Sequence, residues 1–164
     1  MKNLITFAIL LGSSLSSQAS YPQPSDVVAK YFTSLAAGDL AEVMNLLDDD
    51  VIWHQPGNSV LSGTYVGKAS VGALFGRFME ISNGTFRIDQ VQSIMTNGSL
   101  VSATLSFSAT RFRYLELSMQ MKGIDVMKIE NGKIKEVFLF SERQSDEDQF
   151  WGISTQATIN GERR

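Results

Sequence analysis

The stretch Arg113–Ile129, RYLELSMQMKGIDVMKI, decides the fold, because it has the pattern of one long β-strand. Side chains on a strand alternate between two faces. One face of this strand carries only apolar residues and a glycine, apart from a single acid. Its members are Leu115, Leu117, Met119, Met121, Gly123, Asp125, Met127 and Ile129. Asp125 is therefore the only charged residue in an apolar row.

An acid in such a row is a candidate functional residue. Burying a carboxylate costs several kcal/mol unless it is paired, hydrogen-bonded or protonated, and carboxyl groups of this kind are common in active sites. Three structural explanations compete with a functional one. Asp125 could bind backbone amides, pair with a buried base, or face outward across a β-bulge that changes the register.

The segments around this strand predict an antiparallel meander. Period-2 patterns predict one strand before it, over Thr85–Met95, and another over residues 101–109 in which apolar and Ser/Thr residues alternate. Asn97-Gly98 and Asn131-Gly132 are hairpin signals. The second of them leads into a last strand, Ile134–Ser141, and a short helical turn over Asp146–Gly152 follows.

Three helices precede the meander. The first begins near Ser25 and ends at Gly38, and the second begins with the capping pattern Asp39 and Glu42. The third has apolar residues at helical spacing, namely Val71, Leu74, Phe75 and Phe78.

Between the second and third helices, the acidic run Asp48–Asp50 is interpreted as a solvated turn. Val51–His54 is interpreted as a short strand and Gln55–Gly67 as a loop. The order of elements predicts an α+β fold in which a curled sheet and the helices enclose a pocket.

The N-terminus has the pattern of an export signal. Lys2 precedes the short apolar run Leu4–Leu11, and small and polar residues lead to Ala19. We therefore expect a signal peptide over residues 1–19, a mature domain over residues 20–164, and a periplasmic or secreted protein. The apolar run is too short to cross a bilayer, and the sequence suggests no other membrane span.

Composition excludes several classes of function. The chain has no Cys, a single His and a net charge of −3 without a basic stripe. Thiol chemistry and multi-histidine metal sites are therefore excluded, and nucleic acid is not expected as a partner. Nucleotide-binding glycine motifs are also missing from the sequence, so we predict no cofactor and no metal.

The other candidate site residues are one histidine, two aromatic residues and two methionines. His54 could be a donor or base in the pocket wall, or a histidine at a strand end bonded to a loop carbonyl. Trp53 and Tyr31 could line the pocket or belong to the core. Met119 and Met121, in the same row as Asp125, complete the candidate ligand-binding set.

Three stretches resemble SnoaL-like proteins of the NTF2-like superfamily. They are VIWHQPGNSVLSGTYVGKASVGALFGRFMEIS at 51–82, GIDVMKIENGKIKEVFLFSE at 123–142 and DEDQFWG at 146–152. The resemblance implies a cone-shaped α+β fold that often dimerises through the outer face of its sheet. In the cyclases of this family a pocket Asp on a late strand is the acid–base catalyst, and Asp125 is the matching residue. Where many relatives carry an acid after the last strand, this chain has Ser141.

The resemblance leaves the class of function open. One hypothesis is an exported, cofactor-free isomerase, cyclase or hydrolase that uses Asp125 and His54 on a small apolar substrate. A second is a non-catalytic periplasmic protein that binds a small apolar ligand. A third is an interaction module that forms a homodimer through its sheet. All three stay open because a shared fold does not determine function.

Overall fold

The computed structural model describes residues 21–112 and 116–153. The predicted signal peptide lies outside this part of the chain. The described residues form four helices and a six-stranded sheet. In chain order these elements are α1 (Pro24–Ala37), α2 (Leu40–Leu46), β1 (Leu47–Gln55), β2 (Gly63–Val66), α3 (Lys68–Ile81), β3 (Arg87–Asn97), β4 (Leu100–Phe112), β5 (Glu116–Glu130), β6 (Lys133–Ser141) and α4 (Gln144–Trp151).

The sheet has the strand order β2-β1-β6-β5-β4-β3 and is not closed into a barrel. All neighbouring strands are antiparallel except β1 and β6, which run parallel. A parallel pair needs a long crossover connection, and here the connection between β1 and β6 contains α3 and the meander. The α+β prediction is confirmed.

The sheet has an apolar inner face and a more polar outer face. In β4 the inward residues Val101, Ala103, Leu105 and Phe107 are buried, and the Ser and Thr residues between them are half-buried. This alternation is typical of an antiparallel sheet that covers a core on one side only. Burying such side chains stabilises the fold by about 1.5–3 kcal/mol for each large one.

Local chemistry fixes the ends of α1 and α2. Pro24 occupies the first turn of α1, where no amide hydrogen bond is lost. Gly38 ends that helix in the left-handed conformation, with φ of 71°. Asp39 then caps α2, because its Oδ1 accepts a hydrogen bond from the Glu42 amide at 3.0 Å.

The acidic run Asp48–Asp50 is not a turn, as the sequence suggested, but the first part of β1. Two of its carboxylates have cationic partners on other elements. Asp48 contacts Lys135 at 2.8 Å and Asp49 contacts Lys68 at 2.8 Å. These contacts link the acidic segment to α3 and β6, and β1 lies between β2 and β6 in the sheet.

The segment after β1 also differs from the predicted loop. Its last part forms β2, which pairs with β1 so that Thr64 lies opposite His54. The hairpin turn at Asn131-Gly132 is confirmed, and both residues have positive φ, 51° and 73°. This is the backbone that a tight two-residue hairpin requires. Among the described residues, no helix has the length and hydropathy of a membrane-spanning segment.

Candidate functional site

A cavity of about 620 Å³ lies between the inner face of the sheet and helices α1, α2, α3 and α4. Its walls are mainly apolar and include eight aromatic residues, Tyr31, Phe32, Trp53, Phe75, Phe78, Phe86, Phe107 and Phe140. The lining residues Leu40 and Met79 are exposed. The cavity therefore reaches the protein surface near these two residues.

Asp125 lines this cavity from the middle of β5. In the sheet it lies opposite Ala103 on β4 and Leu139 on β6, with no bulge at that point. It is only half-buried because its side chain borders the cavity, yet protein surrounds that cavity on most sides. No hydrogen bond joins its carboxyl group to any side chain or amide in the described ranges.

Burial raises the pKa of Asp125 from its ordinary value of 3.8 to about 8, and the charge of Glu147 contributes in the same direction. Desolvation disfavours the ionised form of a carboxyl group, and a second carboxylate nearby adds repulsion. At neutral pH Asp125 is therefore mainly protonated. The proton is held weakly enough to be exchanged near that pH.

Glu147, on α4, is the second carboxyl group in the cavity lining and is almost fully buried. It accepts hydrogen bonds from Ser141 Oγ, from Trp151 Nε1 at 3.0 Å and from Gln144 Nε2 at 3.4 Å. Burial raises the pKa of Glu147 above its ordinary value, and these donors offset part of that rise. Glu147 was not among the predicted site residues.

Tyr31 and Trp53 lie in the same cavity as Asp125. Burial raises the pKa of the Tyr31 phenol, and the nearby Asp125 adds to that effect, so the phenol is neutral and can donate a hydrogen bond. The Trp53 indole packs edge-to-face on Phe75, with ring centroids 5.1 Å apart, and its Nε1 donates to Gln55 Oε1 at 3.3 Å. The two residues are thus both core and cavity wall.

His54 lies on the opposite face of the sheet and does not border this cavity. Its Nε2 is 2.8 Å from Glu136 Oε1 and its Nδ1 is 3.3 Å from Thr64 Oγ1. Its ring stacks on Phe138 at 4.3 Å. Because neighbouring side chains on a strand alternate, an inward Trp53 directs His54 outward. The structure therefore does not bring His54 together with Asp125.

Met119 and Met121 are buried on the same side of β5 as Asp125, but they do not line its cavity. Met121 lies opposite Phe107, which does line the cavity. Met119 borders a second, smaller cavity of about 280 Å³. The two methionines are core residues next to the site.

A loop after β1 holds α4, and with it Glu147, in place. The amide of Asn58 donates to Asp148 Oδ2 at 2.9 Å, and the amide of Val60 donates to the Gly152 carbonyl at 2.8 Å. Gly57 packs against the same Asp148 carboxylate. The Pro-Gly sequence that follows His54 is therefore part of the support for the cavity.

Three charged residues line the cavity. Asp125 and Glu147 lie inside, whereas the Arg87 side chain is 68% exposed and contacts Asp89 at 2.9 Å. Within residues 21–112 and 116–153, no group of three or more His, Cys, Asp or Glu residues could hold a metal ion. The geometry supports proton transfer by a carboxyl group in an apolar cavity.

Comparison with known proteins identifies the family. Residues 28–137 match the model of the SnoaL-like domain. The chain belongs to the SnoaL-like family. A solved protein of unknown function with a cystatin-like fold, from Xanthomonas campestris, is 43% identical to this SnoaL-like protein. The match covers 80% of this chain and 99% of that one, with a TM-score of 0.76.

Two more distant structures show the same fold. Bal32a, from a soil-derived mobile gene cassette, is 22% identical over 78% of this chain and 95% of its own, with a TM-score of 0.72. A proposed polyketide cyclase from Pseudomonas putida is 21% identical over 80% of this chain and 99% of its own, with a TM-score of 0.62. No match was found among curated proteins. The predicted SnoaL-like identity is confirmed.

Proposed function

We propose that this SnoaL-like protein is an exported, cofactor-free enzyme that uses Asp125 as its acid–base catalyst on a small apolar substrate bearing a carbonyl group. One observation carries the proposal. The Asp125 carboxyl group borders an apolar cavity of about 620 Å³, no described residue makes a hydrogen bond to it, and its pKa is about 8. An efficient catalytic acid or base has a pKa near the working pH.

The chemistry follows from the two states of Asp125. Its carboxylate removes a proton from the carbon next to a substrate carbonyl, and negative charge moves to the carbonyl oxygen. The neutral hydroxyl of Tyr31 is the cavity donor suited to stabilise that oxygen. Protonated Asp125 then returns the proton. Return to another carbon is isomerisation, and return to the alkoxide formed by attack on a second carbonyl is aldol cyclisation.

The walls of the cavity support an apolar and ring-shaped substrate. Trp53, Phe75 and Phe78 offer flat surfaces, and such surfaces bind planar apolar molecules through burial of their area. The structure from Pseudomonas putida, a proposed polyketide cyclase, is consistent with a substrate of this kind. At 21% identity it supports the proposal through the fold alone.

The test begins with native mass spectrometry of the protein purified from its own host, which identifies a retained ligand. That ligand is then incubated with the wild type, Asp125→Asn and the control Asp146→Asn, an exposed acid on α4. We expect the first variant to lose turnover by about 10²-fold or more and the control to keep it. Full turnover by Asp125→Asn would exclude the catalytic role.

A second candidate function is a non-catalytic carrier of a small apolar ligand in the periplasm. The export pattern of residues 1–19 favours a protein that works in the periplasm. A carrier there needs only the cavity and no reaction. In that case the ligand is recovered unchanged after incubation. Asp125→Asn then alters affinity little. N-terminal sequencing of the mature protein tests export, with Ser20 as the expected first residue.

We further propose a homodimer formed through the outer face of the sheet. Ile124 on β5 and Phe140 on β6 are direct cross-strand neighbours and are 43% and 56% exposed. Phe138 lies beside them and is also exposed. Contiguous exposed apolar side chains are typical of protein–protein contacts, and the second copy of this chain is the partner that the family resemblance implies.

A further inference from the structure

The cavity contains two carboxyl groups with very different hydrogen bonding. Glu147 accepts hydrogen bonds from Ser141, Trp151 and Gln144, whereas Asp125 has none from the described residues. Donors that point at a carboxyl group favour its ionised form. Burial raises the pKa of Glu147 and its donors oppose that rise, so Glu147 is the one of the two acids whose ionised form is stabilised by hydrogen bonds.

The sheet register places the two groups close together. Asp125 lies opposite Leu139 and Gly123 lies opposite Ser141, so Ser141 is the diagonal neighbour of Asp125 on the same face. Such neighbours are about 7–8 Å apart. Because the Ser141 hydroxyl donates to the Glu147 carboxylate, the charge of Glu147 lies at the same end of the cavity as Asp125.

No cation inside the described cavity offsets that charge. The other ionisable lining residues are Tyr31 on α1, which is neutral, and Arg87 on β3, which is exposed and paired with Asp89. The lining residues from α2, α3, β1, β4 and β6 are all uncharged. Two nearby carboxylates without a counter-charge do not both stay ionised in an apolar site.

We propose that Glu147 tunes the specificity of the cavity: its hydrogen-bonded carboxylate adds to the effect of burial in favouring the protonated, hydrogen-bond-donating form of Asp125, so that the buried end accepts the oxygen of a neutral carbonyl or ether ligand and rejects a carboxylate. This inference rests on the proposed function, because it concerns the ligand that Asp125 contacts. Glu147 acts through Asp125 and is a positioning residue, not an acid–base catalyst.

The physical consequence is selection by charge and not by shape. A neutral oxygen receives a hydrogen bond from the Asp125 hydroxyl. A carboxylate on the same skeleton brings a further negative charge beside Glu147 and gives up its own hydration, and that loss is large in an apolar site. Both ligands have the same skeleton and make the same contacts with the aromatic walls. The difference in their affinities therefore reports on the carboxyl pair.

The first test measures the titration of Asp125 without any ligand, from the side-chain carboxyl carbon signal in NMR. In the wild type we expect a midpoint near 8. Glu147→Gln should lower this midpoint, and Glu147→Asp, which keeps the charge, should leave it raised. Asp146→Asn, on the same helix but exposed, is the matched control and should change nothing. An unchanged midpoint in Glu147→Gln would overturn the inference.

The second test compares two probes of one skeleton, 2-acetylnaphthalene and 2-naphthoate, by calorimetry at pH 7. The wild type should bind the neutral ketone at least about tenfold more tightly, a difference that corresponds to about 1.4 kcal/mol. Glu147→Gln should reduce that ratio and Asp146→Asn should not. A wild type that prefers 2-naphthoate contradicts the inference. If neither probe binds, the proposed function loses support, while the titration still decides the role of Glu147.

Discussion

Gly57 and Asp148 approach each other so closely that no side chain fits between them. A Cβ atom at Gly57 would lie 2.0 Å from Asp148 Oδ1, and the φ angle of Gly57 is 86°. Both observations require glycine, because other residues rarely adopt this backbone conformation. The contact joins the loop after β1 to α4, the helix that carries Glu147 into the cavity.

Gly57→Ala is therefore expected to destabilise the protein. The left-handed backbone alone costs about 1–3 kcal/mol for a non-glycine residue, and displacement of Asp148 adds to it. Urea unfolding measures the change. Gly76→Ala is the matched control, because Gly76 lies in α3 with open space around its Cβ position and no positive φ. There alanine should be neutral or stabilising, by up to about 1 kcal/mol.

Asp125→Asn is expected to change how stability depends on pH. In the folded protein the pKa of Asp125 is about 8, against 3.8 for an ordinary Asp. Between these values the folded state holds a proton that the unfolded state has released. The contribution of Asp125 to the free energy of unfolding of the wild type therefore falls as pH rises from about 4 to 8, by at most about 1.4 kcal/mol per pH unit.

The variant removes that dependence and should be more stable than the wild type at pH 8, by less than the ceiling of about 6 kcal/mol that this shift sets, because solvent screens the half-buried group in part. Urea unfolding at pH 5, 7 and 9 measures the difference between the two curves. Asp146→Asn provides the comparison for an exposed acid of the same helix as Glu147. Parallel curves for the wild type and Asp125→Asn would mean that Asp125 has no raised pKa in the folded state.

His54→Gln tests the separation of the two faces of the sheet. His54 contacts Glu136 and Phe138 on the outer face and does not border the cavity. We expect turnover or ligand affinity to stay at the wild-type level and stability to fall by about 0.5–1.5 kcal/mol, the usual contribution of one hydrogen bond. A loss of turnover as large as in Asp125→Asn would require His54 to reach the site.

Sequence patterns predict most of this fold because the strands are long and strictly alternating. The residues of the row that contains Asp125 lie on one face of β5. The same alternation places Phe107 and Leu105 on the inner face of β4. The helix ends at Gly38 and Asp39 follow from local chemistry. These features depend only on neighbours in the chain or on one periodic pattern.

The missed features depend on contacts between distant segments. The acidic run lies in β1, where Asp48 and Asp49 contact lysines from elsewhere in the chain, and Glu147 enters the cavity because α4 folds back onto the sheet. One signal for Glu147 was present, since Trp151 lies four residues later on the same helical face. For His54, the inward Trp53 beside it was the corresponding signal, and strand alternation then directs the histidine outward.

Ile124→Glu tests the proposed dimer. The substitution places a charge in the exposed apolar surface formed by Ile124, Phe138 and Phe140, of which Phe140 alone also borders the cavity. Burying an unpaired carboxylate in an interface costs several kcal/mol, so the variant should be a monomer at concentrations where the wild type is a dimer. Native mass spectrometry and light scattering measure the masses.

The control for that experiment is Gln90→Glu, an exposed residue on the outer face of the edge strand β3, which β4 separates from β5 and Ile124. It adds the same charge to the same side of the sheet and should leave the oligomeric state unchanged. Because Ile124 points away from the cavity, the monomeric variant should still bind ligand. A wild type that is already monomeric at high concentration would show that the outer face has another role.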